Sequence, residues 1–391
     1  MSSLDCLIHD RKLLTICAID LVAGIGQGCT IPIFPIYVRS FGVSYLVVGL
    51  VISGAGAFRL LADIPVGIVL DRLGRKSFLR LSIFFLTIST IFPILISGIW
   101  SLLIFQIIQG LGMGILMIAV LTVTSDISPT NSKGTYVGCL FAADSLSVAL
   151  GAFMGGKLVE IGGFQTPFMA MLILSIAAFL IVERFFKETL PSGIKTGIFR
   201  KMAIRLPGLN RNLLVALLGA SVVSVLISGA GNTAIPLLAL SLLLSPVEIG
   251  FALTTLWVAN VLVQPWAGEL CDRVGTKRLF IVGFALSSIT LLFFFISKNF
   301  VSLEIASVLL GVSIGVASST GATIIVESSG ANARGLSTAF YRIFRDLGSM
   351  SGPIMVGVFS DLFGTPFAFV FIAMVCVATV MIGLTLHSKA R

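Results

Sequence analysis

Twelve apolar stretches, each of 18 residues or more, follow one another along this 391-residue chain. They lie near 13–38, 45–70, 77–97, 100–125, 135–159, 165–186, 212–240, 247–271, 278–297, 300–326, 335–360 and 365–386. A helix of about 20 residues, rising 1.5 Å per residue, crosses the roughly 30 Å of hydrocarbon in a bilayer. Lipid offers no hydrogen bonds, so each span must satisfy its own N–H and C=O groups, and an α-helix does this within one segment. The chain is therefore predicted to be an all-α integral membrane protein. A soluble fold fails on quantity: 57% of residues are hydrophobic and 11% charged, against about 25% charged in soluble domains. Pro32, Pro35 and Pro236 fall inside spans, where they are tolerated. The start does not read as a cleaved leader. Asp5 and Asp10 occupy the place of a basic region, and Asp20 interrupts the first apolar run.

A net charge of +9 raises the question of nucleic acid. The placement of the bases answers it. With both termini cytoplasmic, every Lys and Arg falls on the cytoplasmic side except Arg39, Lys157 and Lys298 outside and Arg59, Arg342 and Arg345 within spans. This is the positive-inside pattern, so the expected partner is a lipid bilayer and not nucleic acid. The six cysteines are scattered without metal spacing and read as small apolar helix residues. The only histidines, His9 and His387, lie in the tails. No metal site, P-loop or nucleophile motif is present, so neither an enzyme nor a cofactor is expected.

A charged turn, GIVLDRLGRK from Gly67 to Lys76, returns 201 positions on as GELCDRVGTKR from Gly268. Gly67, Asp71, Arg72, Gly74 and Lys76 recur as Gly268, Asp272, Arg273, Gly275 and Lys277, while Arg75 belongs to the first copy alone. The same offset relates Pro35 to Pro236, Gly49 to Gly250, Gly110 to Gly311, Asp126 to Glu327, Gly151 to Gly352 and Gly163 to Gly364. Two pseudo-symmetric six-helix bundles in one orientation are predicted, residues 1–186 and 212–391, joined by a basic cytoplasmic linker at 187–211. Parallel repeats of this kind are a transporter layout with the site near the midplane. In the turn itself, glycine permits a tight reversal. The acid can accept from a helix N-terminus, and the bases can pair with acids or anchor to anionic lipid.

These residues resemble the major facilitator superfamily, whose loop between helices 2 and 3 reads G-x-x-x-D-R-x-G-R-K. Gly67, Asp71, Arg72, Gly74, Arg75 and Lys76 match every fixed position, and the second copy falls between helices 8 and 9 as the family expects. The resemblance implies a gating latch on the cytoplasmic side that breaks as the halves rock. It is closest to the drug:proton antiporter branch. That branch carries G-x8-G-x3-G-P-x-x-G-G in helix 5, here Gly138, Ser147, Gly151, Ala152, Gly155 and Gly156. In helix 4, Gln106 stands where the branch has an arginine associated with proton coupling. Gly110, Gly112 and Gly114, without any βαβ context, read as helix-packing glycines, as do Gly151, Gly155, Gly156 and Gly352.

Seven ionisable residues fall well within spans: Asp20, Arg59, Asp63, Asp144, Arg342, Arg345 and Asp346. At about 2.5–3.5 kcal/mol each, leaving them all unpaired would cost roughly 17–25 kcal/mol, so they must face partners or water. Arg59 and Asp63, and likewise Arg342 and Asp346, are i, i+4 neighbours. Equal distances from the cytoplasmic end predict Asp63 with Arg342 and Arg59 with Asp346, about 12 and 18 Å deep, as a clasp or as coupling machinery. In the second half Asn260 and Gln264 replace Arg59 and Asp63. Four acids against three bases leave one carboxyl group without its own cation, and low dielectric favours the neutral, proton-carrying form of such a group. Asp20 is the candidate, with Gln27 along the same helix face. Asp144 is the rival, with Arg345 as its alternative partner.

The expectation is a secondary transporter working by alternating access in the cell membrane as a monomer. It would exchange protons for lipophilic or amphipathic small molecules during efflux. The alternative is an importer or facilitator of a small metabolite or organic anion without proton coupling.

Overall fold

In the computed structural model, residues 10–129, 132–189, 211–328 and 334–386 are described, the side chains of 64–73, 133–134, 272, 322, 325–328 and 334–338 excepted. They form twelve long helices: α1 (Arg11–Ser40), α2 (Tyr45–Leu73), α3 (Arg75–Leu95), α4 (Ile99–Ile127), α5 (Lys133–Gly162), α6 (Thr166–Phe185), α7 (Arg211–Ser241), α8 (Pro246–Val274), α9 (Thr276–Ile296), α10 (Phe300–Ser328), α11 (Arg334–Phe363) and α12 (Thr365–Leu384). Among the described residues eleven are long and apolar enough to cross a membrane. The twelfth, α11, has the length, 30 residues, and carries Arg342, Arg345 and Asp346. Leu95, Trp100, Leu180, Phe185, Leu262 and Trp266 are all more than half exposed on the protein, a surface that lipid would cover. The chain is a multi-pass membrane protein of all-α fold.

Two turns repeat with the sequence register. Gly74 (φ +84°) and Gly275 (φ +95°) join α2 to α3 and α8 to α9; Gly163 (φ +78°) and Gly364 (φ +93°) join α5 to α6 and α11 to α12. Only glycine takes this left-handed backbone without strain.

The spans around the repeated prolines are less regular than predicted. In α1 a turn at 31–33 separates Arg11–Thr30 from Phe34–Ser40, and in α7 a π-helical stretch, Val225–Ala234, precedes Ile235–Ser241. A proline ring clashes with the carbonyl four residues earlier and lacks an N–H. Pro35 and Pro236 thus unsettle the backbone near 31 and 232: in α1 Ile31 N closes a tighter bond to Gly28 O at 3.3 Å, and in α7 the ladder is widened.

The chain divides into two compact units, Met1–Phe34 with Gly54–Lys201 and Pro35–Ser53 with Met202–Arg391. In the first, α1 packs on α5 and α6, and α3 on α4 and α6. In the second, α7 packs on α11, α8 on α10, and α9 on α10 and α12. Stretch 35–53 joins the second unit through α11. Both carboxylate oxygens of Asp361 accept from the backbone N–H groups of Tyr45 and Leu46, each at 2.8 Å, and Ser53 Oγ donates to Met350 O at 2.7 Å. Of the linker, residues 190–210 lie outside the described residues, as do His9, His387 and Cys6. The other five cysteines are buried and form no disulfide among the described residues.

The repeat is also a packing register. A Cβ added to Gly110 would stand 2.9 Å from Ala55 Cα, and one on Gly311 2.9 Å from the carbonyl carbon of Leu256. Gly114 meets Arg59 Cγ at 3.2 Å as Gly315 meets Asn260 O at 3.0 Å; Gly28 meets Gly151 Cα at 2.9 Å as Gly229 meets Gly352 O at 3.0 Å. Each residue differs from its counterpart by the same 201 positions. Gly155 lies against Cys29 in the same α1–α5 seam, and Gly156 is buried beside it.

Candidate functional site

Asp20 and Asp144 lie on the stripe that the α1–α5 glycines create. Asp20, Gly24 and Gly28 recur every four residues on α1, while Asp144, Ser147, Gly151 and Gly155 share one face of α5. Gly24 meets Ser147 and Gly28 meets Gly151, so the parallel register brings Asp20 level with residues 143–144. Asp20 is buried and forms no ion pair among the described residues; the charge that acts on it is the like charge of Asp144. Asp144 is half-buried and has polar interactions of its own. Cys17 and Cys139 occupy the next turn of the seam. Gln27 is half-buried further along α1, where its carbonyl accepts from Thr30 Oγ1.

Arg59 and Asp63 stand on α2, Arg342 and Asp346 on α11, with Asp346 buried and all four engaged in polar interactions. Their neutral counterparts satisfy one another. Gln264 Nε2 donates to Asn260 Oδ1 at 2.8 Å, and Asn260 Nδ2 reaches Gly311 O at 3.4 Å. Arg345 donates through Nε to Ser224 Oγ of α7 at 3.5 Å. Gln106 is buried and packs against Gly54 of α2.

At the charged turn, Gly67, Asp71 and Arg72 lie outside the described side chains, as does Asp272 in the second copy. The remaining bases of the first copy bind acids of their own unit. Arg75, buried, pairs through Nε with Asp126 Oδ2 at 3.0 Å, at the end of α4. Lys76 Nζ sits 3.6 Å from Glu183 Oε2 and donates to Glu183 O at 3.1 Å, and Arg80 pairs with the same carboxylate. The N-terminus of α3 has no side-chain cap of its own. Glu188 supplies one, accepting from Arg75 N at 2.9 Å and Lys76 N at 3.1 Å. In the second copy Lys277 Nζ donates to Leu384 O and Leu386 O at 2.8 and 2.6 Å, while Arg273 pairs with Glu269 at 2.6 Å on an exposed face. Gly268 is open to space.

Sequence reasoning had no role for Glu183, Glu188, Asp361 or Glu304. The first three act at helix ends, beyond a search confined to spans. Glu304, on α10, has both carboxyl oxygens shut away from solvent beside Thr255 of α8. Its repeat counterpart is the apolar Leu103, the one available signal of something particular.

Comparison with known proteins bears on the chain as a whole. The profile of the Major Facilitator Superfamily matches residues 16–226 and 217–390. The chain is 23% identical over 359 residues to an uncharacterized MFS-type transporter of Methanocaldococcus jannaschii, covering 91% of this chain and 92% of the relative. It is 25% identical over 377 residues to the multidrug resistance protein MdtG of Salmonella arizonae, covering 93% and 92%. In fold it is similar to a bacterial homolog of the human lysosomal transporter Spinster, solved inward-facing and occupied (TM-score 0.76, 16% identity, 95% and 94% covered). The human organic anion transporter MFSD10 is similar at a TM-score of 0.71, again at 16% identity, with 95% and 99% covered.

Proposed function

The chain belongs to the major facilitator superfamily, and on that premise we propose that it exports lipophilic or amphipathic small molecules in exchange for protons. That it is a membrane transporter of small molecules, and not an enzyme, follows from the family. The finer reading rests on one observation: Asp20, buried on α1 and without an ion pair among the described residues, shares its seam with Asp144. Two carboxyl groups in one seam, one of them buried, carry a proton more readily than two charges, and a proton that comes and goes is what coupling requires. MdtG, with its multidrug resistance name, supports the substrate class, as does an interior rich in phenylalanine. Alternating access between two bundles then moves substrate one way as the seam loads and releases its proton. The reading also places the chain in the plasma membrane as a monomer with both termini cytoplasmic. The α2 and α11 charges, Asp63 with Arg342 and Arg59 with Asp346, are its proposed coupling elements.

Proteoliposomes with an imposed pH gradient test this. In a screen of lipophilic cations, neutral drugs and organic anions, substrate-evoked proton flux is expected, and Asp20→Asn should abolish it. Substrate movement without proton flux, untouched by the substitution, would favour the uncoupled importer or facilitator that buried Gln106, in place of an arginine, otherwise supports.

A further inference from the structure

Resting on that reading and narrowing its substrate class, we propose that the Arg345 guanidinium seats the anionic head of an amphipathic substrate, a carboxylate, sulfonate or phosphate, at the α7–α11 seam. The argument starts from depth. Arg345 is 11 residues from the start of α11 at Arg334 and 18 from its end at Phe363, about 17 and 27 Å by helix rise. No arginine side chain snorkels that far, and a guanidinium does not shed its proton. Such a charge within a span must face a partner or a wet cavity.

The partners present are too few for a structural role. A guanidinium has five N–H donors in a fixed fork. Among the described residues Arg345 makes no ion pair. Its hydrogen bond is the single long one to Ser224 Oγ at 3.5 Å, and the Tyr341 ring lies 5.9 Å from its Cζ. Arg75 shows how this chain treats a structural arginine, with a 3.0 Å carboxylate bond and a buried side chain. Arg345 is half-buried, so its fork is reachable.

The repeat sharpens the point. The counterpart of Arg345 in the first half is Asp144. The two halves therefore hold opposite charges at one position of the repeat, an acid at the α1–α5 seam and a base at the α7–α11 seam. The acid suits a proton and the base suits an anion. Ser224 is also the last residue before the π-helical stretch Val225–Ala234, and such widened turns recur at functional sites.

The test uses a matched pair of fluorescent amphiphiles, 1-anilinonaphthalene-8-sulfonate and the uncharged N-phenyl-1-naphthylamine. Both are titrated onto full-length protein in phosphatidylcholine nanodiscs, with empty discs subtracted. Wild-type protein should favour the sulfonate, and Arg345→Gln should lower the ratio of sulfonate to neutral affinity about tenfold or more, as loss of a charge-assisted bidentate contact implies. Arg345→Lys, which keeps the charge and loses the fork, should fall between. Should the Gln variant fail to fold, the Lys variant decides, together with displacement of the sulfonate from wild type by decanoate but not by decanol. A ratio unmoved in both variants, or equal displacement by decanoate and decanol, overturns the anion seat. Neutral dye still bound with no sulfonate preference would sink this inference alone and leave the export reading standing; loss of both dyes from wild-type protein would sink both.

Discussion

Gly28 and Gly151 meet where α1 crosses α5, and the missing side chains are what let Asp20 and Asp144 share a seam. An alanine at 151 would put its Cβ 2.6 Å from Gly28 Cα, inside any tolerable contact. Overpacking of this kind typically costs about 1–3 kcal/mol. Gly138 lies on the same helix with open space around its Cβ position. There alanine removes only backbone freedom from the unfolded chain, a gain of about 0.5–1 kcal/mol in a helix interior. One substitution type should thus have opposite signs on one helix: Gly151→Ala lowers the thermal midpoint of the purified protein and Gly138→Ala leaves or raises it. Equal shifts in a melting experiment would mean that the seam is not held by close approach. Transport should fall with Gly151→Ala as well, because separating the helices separates the two acids.

At the level of helices, α2 and α8 solve one problem in different ways. The N-terminus of α8 carries its own capping box: Glu248 N donates to Ser245 Oγ at 3.3 Å and Ser245 N to Glu248 Oε2 at 2.8 Å. The counterparts on α2 are Ser44 and Val47, so the acid of the box is missing there, and Asp361 of α11 instead takes the next two N–H groups, those of Tyr45 and Leu46. Removing such a cap costs about 1 kcal/mol. Asp361→Ala should therefore lower the melting midpoint. Adding Val47→Glu, which copies Glu248 into α2 and reaches the Ser44 N–H rather than those of Tyr45 and Leu46, should recover only a small part of the loss. Full recovery in the double variant would show that Asp361 acts only as a negative charge near the helix N-terminus. This cap also marks the limit of what the sequence discloses. Spans were legible because lipid permits only long apolar helices: 77–97 became Arg75–Leu95 and 165–186 became Thr166–Phe185. The Asp20–Asp144 seam was half legible, through unmatched charge and small residues at helical spacing. Asp361 and Glu188 were not, because their partners are backbone N–H groups, which every residue has and no pattern announces. The turn in α1 and the π-helical stretch in α7 were hidden for a related reason: Pro35 and Pro236 were visible, and how a span absorbs a proline is settled by packing.

Across the whole molecule the two copies of the charged turn share a strut and differ in everything added to it. Lys76 donates to Glu183 O and Lys277 to Leu384 O, and 183 and 384 are themselves 201 apart. The repeated lysine ties the third helix of each half to the C-terminus of the sixth, where the helix dipole favours a cation. The first copy adds Arg75 with Asp126, Arg80 with Glu183 and the Glu188 cap. Arg75 and Lys76 are held by acids of their own unit, so on the export reading proposed above they would hold the turn rigid and the latch would fall to Asp71. The two roles separate under substitution. Arg75→Gln and Asp126→Asn should each lower stability and transport together. A double-mutant cycle should give a coupling of about 0.5–3 kcal/mol, the range for residues in contact. Exchanging the pair, Arg75→Asp with Asp126→Arg, should restore part of both. Asp71→Asn, by contrast, should cut transport while the melting midpoint stays near that of wild type. If instead Arg75→Gln abolished transport in a protein of undiminished stability, Arg75 would itself be a moving part of the gate, and its bond to Asp126 would belong to one state of the cycle only.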